Sequence, residues 1–356
     1  MRVLSVQLRD FRTYARAEAH LGEGLTVVHG PNGVGKSNLL EALYFGCTGR
    51  STRTRNEREL VRFGAPAARV VVRLADGSDQ HELSIGFEPG QPKHMSADGA
   101  PVERLIDVET RPLLSVFIPD RLELLKGAPA VRRAHLDQFV AALWPARAAT
   151  RRSYHAALAQ RNALLGRVRA GRADAGALTS WNLATADAGI RLSADRASAT
   201  ARVAEAFARH AAELGLNGEA TVTYRPRSQA TSAEELAAEL AERLEVDLAR
   251  GFTGHGPHRD DLLLARDGRD LRSFGSQGEQ RLALLALLLA ERDALAAERS
   301  RPPLMLFDDV MSELDVTRRA LLAAQLRREG QSVVTATELE HVPGWDAADV
   351  TRIAVP

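Results

Sequence analysis

Residues 30–37 read Gly30-Pro31-Asn32-Gly33-Val34-Gly35-Lys36-Ser37, a glycine, four residues and then Gly-Lys-Ser. This spacing is typical of a phosphate-binding loop. Residues 24–29 predict a short buried strand before the motif, and residues 38–45 predict a helix after it. Because glycine has no Cβ, backbone N–H groups in such a loop can point at phosphate oxygens. We expect Lys36 to neutralise the β- and γ-phosphates of a triphosphate, and the Ser37 hydroxyl to bind Mg²⁺.

The predicted nucleotide-binding residues follow one another through the loop into the helix: Gly30, Pro31, Asn32, Gly33, Val34, Gly35, Lys36, Ser37 and Asn38. A glycine turn that binds nothing is the alternative, but loop, lysine, hydroxyl and flanking elements all agree. The Gly33-x-Gly35 spacing also occurs in dinucleotide-binding folds. The adjacent Lys36-Ser37 pair favours a triphosphate instead.

Composition limits the class of protein. The 356 residues are 45% hydrophobic and 26% charged, as in ordinary globular proteins, and suit one large domain or two modest ones. The net charge is only +1, so affinity for nucleic acid must come from a local patch. The single cysteine, Cys47, excludes an internal disulfide and a CxxC metal site. With no apolar run long enough to span a bilayer, we expect a cytoplasmic protein without a membrane partner.

A second set of carboxylates completes the predicted nucleotide site. Residues 304–309 read Leu-Met-Leu-Phe-Asp-Asp, an apolar run that predicts a buried parallel strand ending in two acids. Asp308 is predicted to hold Mg²⁺ through water. Asp309 occupies the position that often holds a glutamate, which orients the attacking water.

Residues 274–280 read Phe-Gly-Ser-Gln-Gly-Glu-Gln and lead into a strongly apolar helix. A serine and a glycine at a helix start can bind an anion, although an ordinary N-cap has the same residues. The order of phosphate loop, long insertion, this helix and the Asp-Asp strand is that of an ABC-type ATPase head. Ser276 and Gly278 are therefore predicted to contact the γ-phosphate held by a second copy. ATP would join two subunits of a homodimer, and hydrolysis would release them.

The predicted fold class is α/β, an ABC-type, SMC-like P-loop ATPase head with an inserted, mainly helical arm domain. Lys36 and Asp308 are 272 positions apart, yet both must reach one nucleotide. The predicted boundaries are 1–125 for the first part of the head, 126–244 for the arm and 245–356 for the second part. Small apolar residues recur at loosely heptad spacing in the arm, which fits a coiled coil or a helical hairpin: Leu183, Ile190, Ala197, Ala204 and Ala211.

Two arginine-rich stretches are candidates for contact with phosphate. Residues 147–172 hold seven arginines and no carboxylate, so the run is one-sided in charge. It predicts a surface for DNA backbone, or else a solvent face biased towards arginine: Arg147, Arg151, Arg152, Arg161, Arg167, Arg169 and Arg172. Residues 50–62 hold five arginines and two glutamates, which fits a solvated loop or an arginine near the nucleotide or DNA.

Three further motifs are long and specific. They are Gly251-Phe-Thr-Gly-His-Gly-Pro-His-Arg-Asp-Asp-Leu262; Pro119-Asp-Arg-Leu-Glu-Leu-Leu-Lys-Gly-Ala-Pro129 with Arg132-Arg133 and Leu136-Asp137; and Gln160-Arg-Asn-Ala-Leu-Leu165. On these motifs the chain resembles, over essentially its whole length, the RecF family of bacterial recombination mediators. The resemblance implies ATP-dependent dimerisation, binding of duplex and gapped DNA, and slow, DNA-stimulated ATP hydrolysis. It also implies work with RecO and RecR to place RecA at single-strand gaps.

Two departures from the wider ABC pattern favour a switch over a motor. Asp309 replaces the usual glutamate, and Thr335 and Thr337 stand where many relatives carry a histidine. A GTPase or small-molecule kinase, or a transporter ATPase subunit, is the alternative function.

The segment His255-x-x-His258-x-Asp260-Asp261 has its own alternatives. It could suggest a metal cluster or a kinase catalytic loop. We expect a structural turn beside the nucleotide, with Arg259 hydrogen-bonded to a carboxylate.

Overall fold

The computed structural model of the chain describes residues 1–54 and 56–355, and for Pro119 and Asp120 the backbone only. Arg55, in the arginine-rich stretch 50–62, and Pro356 lie outside the described residues. The chain divides into two compact units, Met1–Arg121 with Leu295–Pro356, and Leu122–Ala294. Residues 245–294, predicted as part of the head, fall in the second of these units. The functional domain boundaries stay a prediction.

The strands follow in chain order as β1 (Arg2–Phe11), β2 (Tyr14–His20), β3 (Leu25–His29), β4 (Ala68–Asp76), β5 (Asp79–Phe87), β6 (His94–Ala97), β7 (Ala100–Pro101), β8 (Leu114–Phe117), β9 (Ala220–Arg225), β10 (Asp261–Arg266), β11 (Arg269–Asp270), β12 (Leu304–Phe307), β13 (Ser332–Ala336) and β14 (Thr351–Ala354). The predicted strand at Leu25–His29 is confirmed. The sequence predicts a surface loop over 89–101, but this stretch contains the short strands β6 and β7. These segments are strands because β6 pairs with β5 and β7 pairs with β6, despite the local proline and glycine content.

The helices follow as α1 (Lys36–Thr48), α2 (Glu123–Lys126), α3 (Pro129–Leu143), α4 (Ala148–Arg169), α5 (Leu178–Glu213), α6 (Ala233–Glu242), α7 (Leu244–Arg250), α8 (Leu271–Phe274), α9 (Gln277–Arg299) and α10 (Val316–Arg328). The sequence predicts one helix from residue 232 to about residue 250, but Arg243 separates α6 from α7. Among the described residues, no helix combines the length and the apolar character needed to cross a bilayer.

The first unit contains two sheets that share one core. The antiparallel sheet has the strand order β2-β1-β4-β5-β6-β7, and the parallel sheet has the order β14-β3-β13-β12-β8. Apolar side chains of both sheets and of α1 form a single buried cluster, which includes Leu8, Val72, Leu43, Phe45 and Leu306. The interior strand β12 is buried on every residue, as expected for a parallel strand covered on both faces.

The order of the parallel strands positions the site. Strand β13 lies between β3 and β12, with Val334 paired to both Val27 and Phe307. The carboxyl ends of these three strands therefore meet at one edge of the sheet. In open α/β sheets this edge is where ligands bind. Residues after β3 and after β12, distant in sequence, become neighbours there.

The second unit is mainly helical, with a hairpin formed by α4 and α5 and a three-stranded sheet in the order β11-β10-β9. The heptad residues do not as a set form the buried stripe of α5, since Leu183 is half exposed and Ala197 is exposed, although Ala211 is buried. The buried positions include Ala186, Gly189, Leu192 and Val203. The helices α4 and α5 thus form a helical hairpin, which is one of the two alternatives that the sequence left open.

Candidate functional site

The phosphate-binding loop joins β3 to α1 through glycines whose backbone other residues rarely adopt. Gly30 has φ 151°, and a Cβ there would lie 2.4 Å from the Val355 carbonyl oxygen. Gly35 has φ 116° and caps the N-terminus of α1. A Cβ on Gly35 would lie 2.8 Å from Thr13 Oγ1. These glycines leave the loop backbone free to curl around a phosphate group.

Lys36 lies on the first turn of α1 and is 8% exposed. Its ammonium donates hydrogen bonds to the carbonyl oxygens of Gly30 at 2.7 Å and of Pro31 at 2.8 Å. These contacts hold the positive charge against the start of the loop. A charge in this position can neutralise the outer phosphates of a nucleotide.

Three oxygen-bearing side chains meet at the edge where β3, β12 and β13 end. The Ser37 hydroxyl donates to Asp308 Oδ1 at 2.8 Å, across 271 residues of sequence. The Thr335 hydroxyl donates to the same oxygen at 2.8 Å and accepts the backbone N–H of Asp309 at 2.8 Å. The structure thus brings together the two predicted Mg²⁺ ligands. It also adds Thr335 as the residue that orients both aspartates.

Asp309 has a left-handed backbone, with φ 51° and ψ 29°. Aspartate and asparagine tolerate this conformation better than most side chains do. The Asp309 carbonyl oxygen accepts the hydroxyl of Ser312 at 2.9 Å, which holds the turn after β12. The backbone therefore supplies a physical reason for aspartate at a position that often carries glutamate.

Residues from the β1–β2 turn form a second layer around the loop. Arg12 makes a bidentate pair with the buried Glu41 of α1, with both N···O distances at 2.9 Å. Tyr14 donates its hydroxyl to the Gly35 carbonyl oxygen at 3.0 Å, and burial raises its pKa to about 12. The tyrosine therefore stays a donor at neutral pH.

Sequence patterns missed this layer because only the pairing of β1 with β2 brings the turn to α1. For the stretch 50–62, one alternative placed an arginine near the nucleotide. Arg53 lies beside the phosphate-binding loop, since its Nη1 donates to Asn38 Oδ1 at 3.0 Å, and its contact with a nucleotide stays a prediction. Arg53 thus contacts the first turn of the helix that follows the phosphate-binding loop.

Ser276 is exposed and directly precedes α9. Its hydroxyl oxygen accepts the N–H of Glu279 at 3.3 Å, and the Glu279 carboxylate accepts the N–H of Ser276 at 2.7 Å. The hydrogen bond from the Ser276 N–H lowers the pKa of Glu279. This reciprocal capping box fixes the serine, whose O–H remains available as a donor. The N–H of Gly278 belongs to the first helical turn, which has no acceptor inside its own helix.

Known proteins resemble the chain in sequence. A family model described as an AAA domain matches residues 5–111. The DNA replication and repair protein RecF of Anaeromyxobacter sp. (strain Fw109-5) is 40% identical over 362 residues, covering 98% of this chain and 96% of that protein. The RecF protein of Myxococcus xanthus (strain DK1622) is 37% identical, covering 100% of this chain and 96% of that protein.

The chain belongs to the RecF family. The resemblance drawn from the sequence motifs is therefore confirmed.

Solved structures agree with this family and with the fold. A structure of the recombination mediator protein RecF-ATPrS in the RecFOR pathway matches with a TM-score of 0.83 and 26% identity, covering 99% of this chain and 96% of that one. The corresponding RecF-ATP structure matches with a TM-score of 0.82 and 26% identity, covering 95% and 92%. An SmcHead bound to the C-winged helix domain of ScpA shares the fold alone, with a TM-score of 0.62 and 16% identity. The predicted ABC-type, SMC-like α/β fold is confirmed.

The seven arginines of residues 147–172 separate into two groups in this RecF-family chain. Arg152, Arg167, Arg169 and Arg172 are exposed, as are two arginines with carboxylate partners. Those two are Arg147, 3.1 Å from Asp195, and Arg151, 3.4 Å from Asp137. Arg161 is fully buried and has no exposed surface to offer DNA.

Arg161 is a structural residue of the helical unit. It donates to Asn182 Oδ1 at 2.8 Å, to Asp247 Oδ2 at 2.8 Å and to Thr253 Oγ1 at 2.6 Å. Asp247 is 1% exposed, so removing the arginine would leave a buried carboxylate without its counter-charge.

We expect Arg161→Met to destabilise the helical unit by about 3–5 kcal/mol, because it breaks a buried ion pair from one side. Urea unfolding of the full chain, followed by hydrogen exchange on α4 and α5, measures this destabilisation. Arg167→Met, an exposed change on the same helix, is the matched control and should alter little. The double variant Arg161→Met with Asp247→Leu should recover most of the stability. An unchanged unfolding midpoint for Arg161→Met would contradict this role.

The family motif at residues 251–262 forms a turn held by buried arginines. Asp261 accepts a bidentate pair from Arg132 at 2.6 and 2.9 Å. Asp260 accepts the guanidinium of Arg196 at 3.3 Å. A structural turn is present, but Arg196 and Arg132 hold its carboxylates, and its expected position beside the nucleotide stays a prediction. Arg259, expected in that role, lies over the Phe252 ring at 5.7 Å.

The histidines of this turn are also engaged. His258 Nε2 donates to the Thr253 carbonyl oxygen at 2.9 Å, and Nδ1 accepts the Tyr154 hydroxyl at 2.7 Å. Burial lowers the pKa of His258 to about 4, so this ring stays neutral. Within the part of the chain that the structure describes, no three His, Cys, Asp or Glu side chains are grouped to hold a metal ion.

Proposed function

We propose that this chain is an ATP-dependent recombination mediator that acts as an ATP-gated homodimer. It binds DNA at junctions between single-stranded and duplex segments. With RecO and RecR it promotes loading of RecA in DNA repair and replication recovery. The observation that carries the proposal is the cluster of Ser37, Asp308 and Thr335 oxygens beside the phosphate-binding loop of a RecF-family chain.

The nucleotide side of the proposal rests on the loop and its two flanking elements. Residues Gly30 to Asn38 bind the phosphates of ATP, and Lys36 neutralises the outer ones. Hydroxyl and carboxylate oxygens are the ligands that Mg²⁺ prefers, so the side chains of Ser37 and Asp308 fit that ion. When bound, Mg²⁺ neutralises the charge that develops on the β- and γ-phosphate oxygens. The RecF-ATP and RecF-ATPrS structures are complexes of relatives and support this assignment.

Hydrolysis is slow in this proposal. Asp309 orients the attacking water, and its shorter side chain reaches less far than a glutamate would. The hydrogen bond between the Asp309 N–H and Thr335 ties this residue to β13. A turnover above about 10 per second, the median for ordinary enzymes, would refute a switch role.

The homodimer is proposed from Ser276 and its surroundings. The serine hydroxyl and the free N–H of Gly278 can cap a γ-phosphate that is bound by the partner copy. Phe274, two residues before, is 70% exposed, and Val316, just after the turn that follows Asp309, is 76% exposed. Large exposed apolar side chains, one beside Ser276 and one after the Asp309 turn, suit a surface that another subunit covers.

The DNA side of the proposal uses the six exposed arginines of residues 147–172. Each neutralised phosphate releases counterions, so affinity must fall steeply with salt. The named partners RecO, RecR and RecA follow from family membership. The RecF structures that this chain resembles concern the RecFOR pathway, and that is the support for these partners.

Light scattering tests the dimer and the DNA complex together. The chain of 38.6 kDa should remain monomeric without nucleotide and double in mass with ATP. Gapped duplex DNA added with ATP should give a complex of two chains per DNA. A strictly monomeric chain in saturating ATP plus gapped DNA would overturn the proposal. A nucleotide competition assay separates it from the GTPase or kinase alternative, and co-purification with a membrane partner would indicate the transporter alternative.

A further inference from the structure

Three arginines lie side by side across the antiparallel sheet of the first unit. Arg9 of β1 pairs with Arg16 of β2 on one side and with Arg69 of β4 on the other. The next residues in the same row are Gly86 of β5 and His94 of β6. We call Arg9, Arg16 and Arg69 the basic row.

The basic row lies on the outward face of the sheet. All three arginines are exposed, whereas neighbours of opposite side-chain direction, such as Leu8 and Val70, belong to the buried core. Neighbouring strands are about 4.8 Å apart, so the row spans roughly 10 Å from β2 to β4. Gly86, next in the row, adds no side chain and leaves the sheet surface low beside Arg69.

Like charges directly opposite each other destabilise a sheet. A carboxylate partner would relieve this, but none of the described carboxylates lies within 4.0 Å of an arginine in the basic row, and Arg69 instead donates to the Ser84 hydroxyl at 3.3 Å. Arg73, four residues along β4, does have a partner, since it lies 3.5 Å from Glu82. The three guanidinium groups of the basic row therefore have no carboxylate partner among the described residues, and their positive charge is available to a bound anion.

An exposed aromatic ring follows the segment that pairs with the end of β1, the strand that carries Arg9. Phe63 is 99% exposed. Its segment is fixed to the end of β1, because Val61 pairs with Phe11 and the Arg62 N–H donates to the Asp10 carbonyl oxygen at 2.8 Å. The ring thus belongs to a segment anchored one residue beyond Arg9. An exposed aromatic ring can stack on an unpaired base of DNA. A free polyphosphate has no base and cannot make this contact.

We propose that the basic row binds the phosphate backbone of DNA and that Phe63 stacks on an unpaired base at the junction. Guanidinium groups bind phosphate oxygens bidentately, which suits three arginines with no competing carboxylate. The inference rests on the proposed function, since it adds a second DNA-binding surface to the arginines of residues 147–172. It places this surface on the sheet of the first unit.

The test is the salt dependence of affinity for gapped duplex DNA. The variant Arg9→Gln with Arg16→Gln and Arg69→Gln should reduce the slope of log K against log salt by up to about 2.7, or about 0.9 for each phosphate that is no longer neutralised. The control is Arg2→Gln with Arg73→Gln, which removes two arginines that already pair with Glu23 and Glu82. Its slope should stay close to that of the wild type. ATP binding by each variant checks that the phosphate-binding loop is intact.

The outcomes separate the two proposals. If the wild-type chain fails to bind gapped DNA, the proposed function fails and this inference fails with it. If the wild type binds and the triple variant keeps the full slope, only the basic row is overturned. Phe63→Ala should reduce the preference for gapped over fully paired duplex without changing the slope. An unchanged preference, together with equal binding of polyphosphate, would make the row a general polyanion site and overturn its assignment to DNA.

Discussion

Ser276→Arg is expected to abolish ATP-driven dimerisation while monomer binding of ATP stays within about threefold of wild type, which is about 0.65 kcal/mol. The exposed hydroxyl before α9 is the proposed cap on the partner's γ-phosphate. Arginine removes that donor and puts a long side chain at the same place. The phosphate-binding loop of the same chain lies in the other compact unit, where Lys36 is hydrogen-bonded to the carbonyl oxygens of Gly30 and Pro31. Light scattering and a nucleotide-binding titration measure the two effects separately.

A matched control exists in α6. Ser232 also caps its helix, since its hydroxyl oxygen accepts the Glu235 N–H at 3.2 Å. Ser232→Arg should cost a similar amount of helix stability, about 0.5–2 kcal/mol for removal of a cap, and leave dimerisation unchanged. If the dimer survived Ser276→Arg, the model in which each subunit caps the other's nucleotide would fail.

Asp308→Asn should lower ATP turnover by about 100-fold, the upper range for residues that act on a metal through its outer shell. The amide cannot supply the negative charge that the Ser37 hydroxyl faces and that would attract a bound Mg²⁺. Binding of ATP should change much less, because Lys36 and the loop backbone are the proposed contacts for its phosphates. Steady-state hydrolysis and equilibrium binding, measured on the same preparation, distinguish the two quantities.

Thr335→Val gives the graded comparison for this prediction. It removes the hydroxyl that orients Asp308 and holds the Asp309 N–H, but keeps both carboxylates. We expect turnover to fall about 10-fold, the lower end of the same range. Asp349→Asn, at an exposed pair with Arg327, is the control and should hydrolyse ATP at the wild-type rate. Equal turnover of Asp308→Asn and the wild type would remove Asp308 from the mechanism.

The loop and its strand could be predicted because their signals are local. Glycine at 30 and 35, lysine at 36 and a run of buried residues over 25–28 need only neighbours in sequence to specify a strand, a turn and a helix start. The capping box at Ser276 is local in the same way. Membership of the family could also be predicted from the sequence, because long motifs contain many specific residues.

The sequence did not show which charged side chains lie on the surface and which lie in the interior. Arg161 lies among other arginines of the same helix, yet it is buried because Asn182, Asp247 and Thr253 converge on it from other elements. The heptad spacing in α5 left the buried face undecided for the same reason, since the elements that pack on α5 determine which of its faces is buried.

The sequence alone therefore determined the phosphate-binding loop, the acidic end of β12, the serine before α9 and the fold class. Each of these depends on short-range chemistry or on a long specific motif. Only the tertiary structure decided that Thr335 orients both aspartates, that Arg12 and Glu41 brace the loop, and that three arginines of β1, β2 and β4 form one row. These groups meet through tertiary contacts, of which the β1–β4 and β12–β13 pairings join strands distant in sequence, and strand register is a property of the assembled sheet.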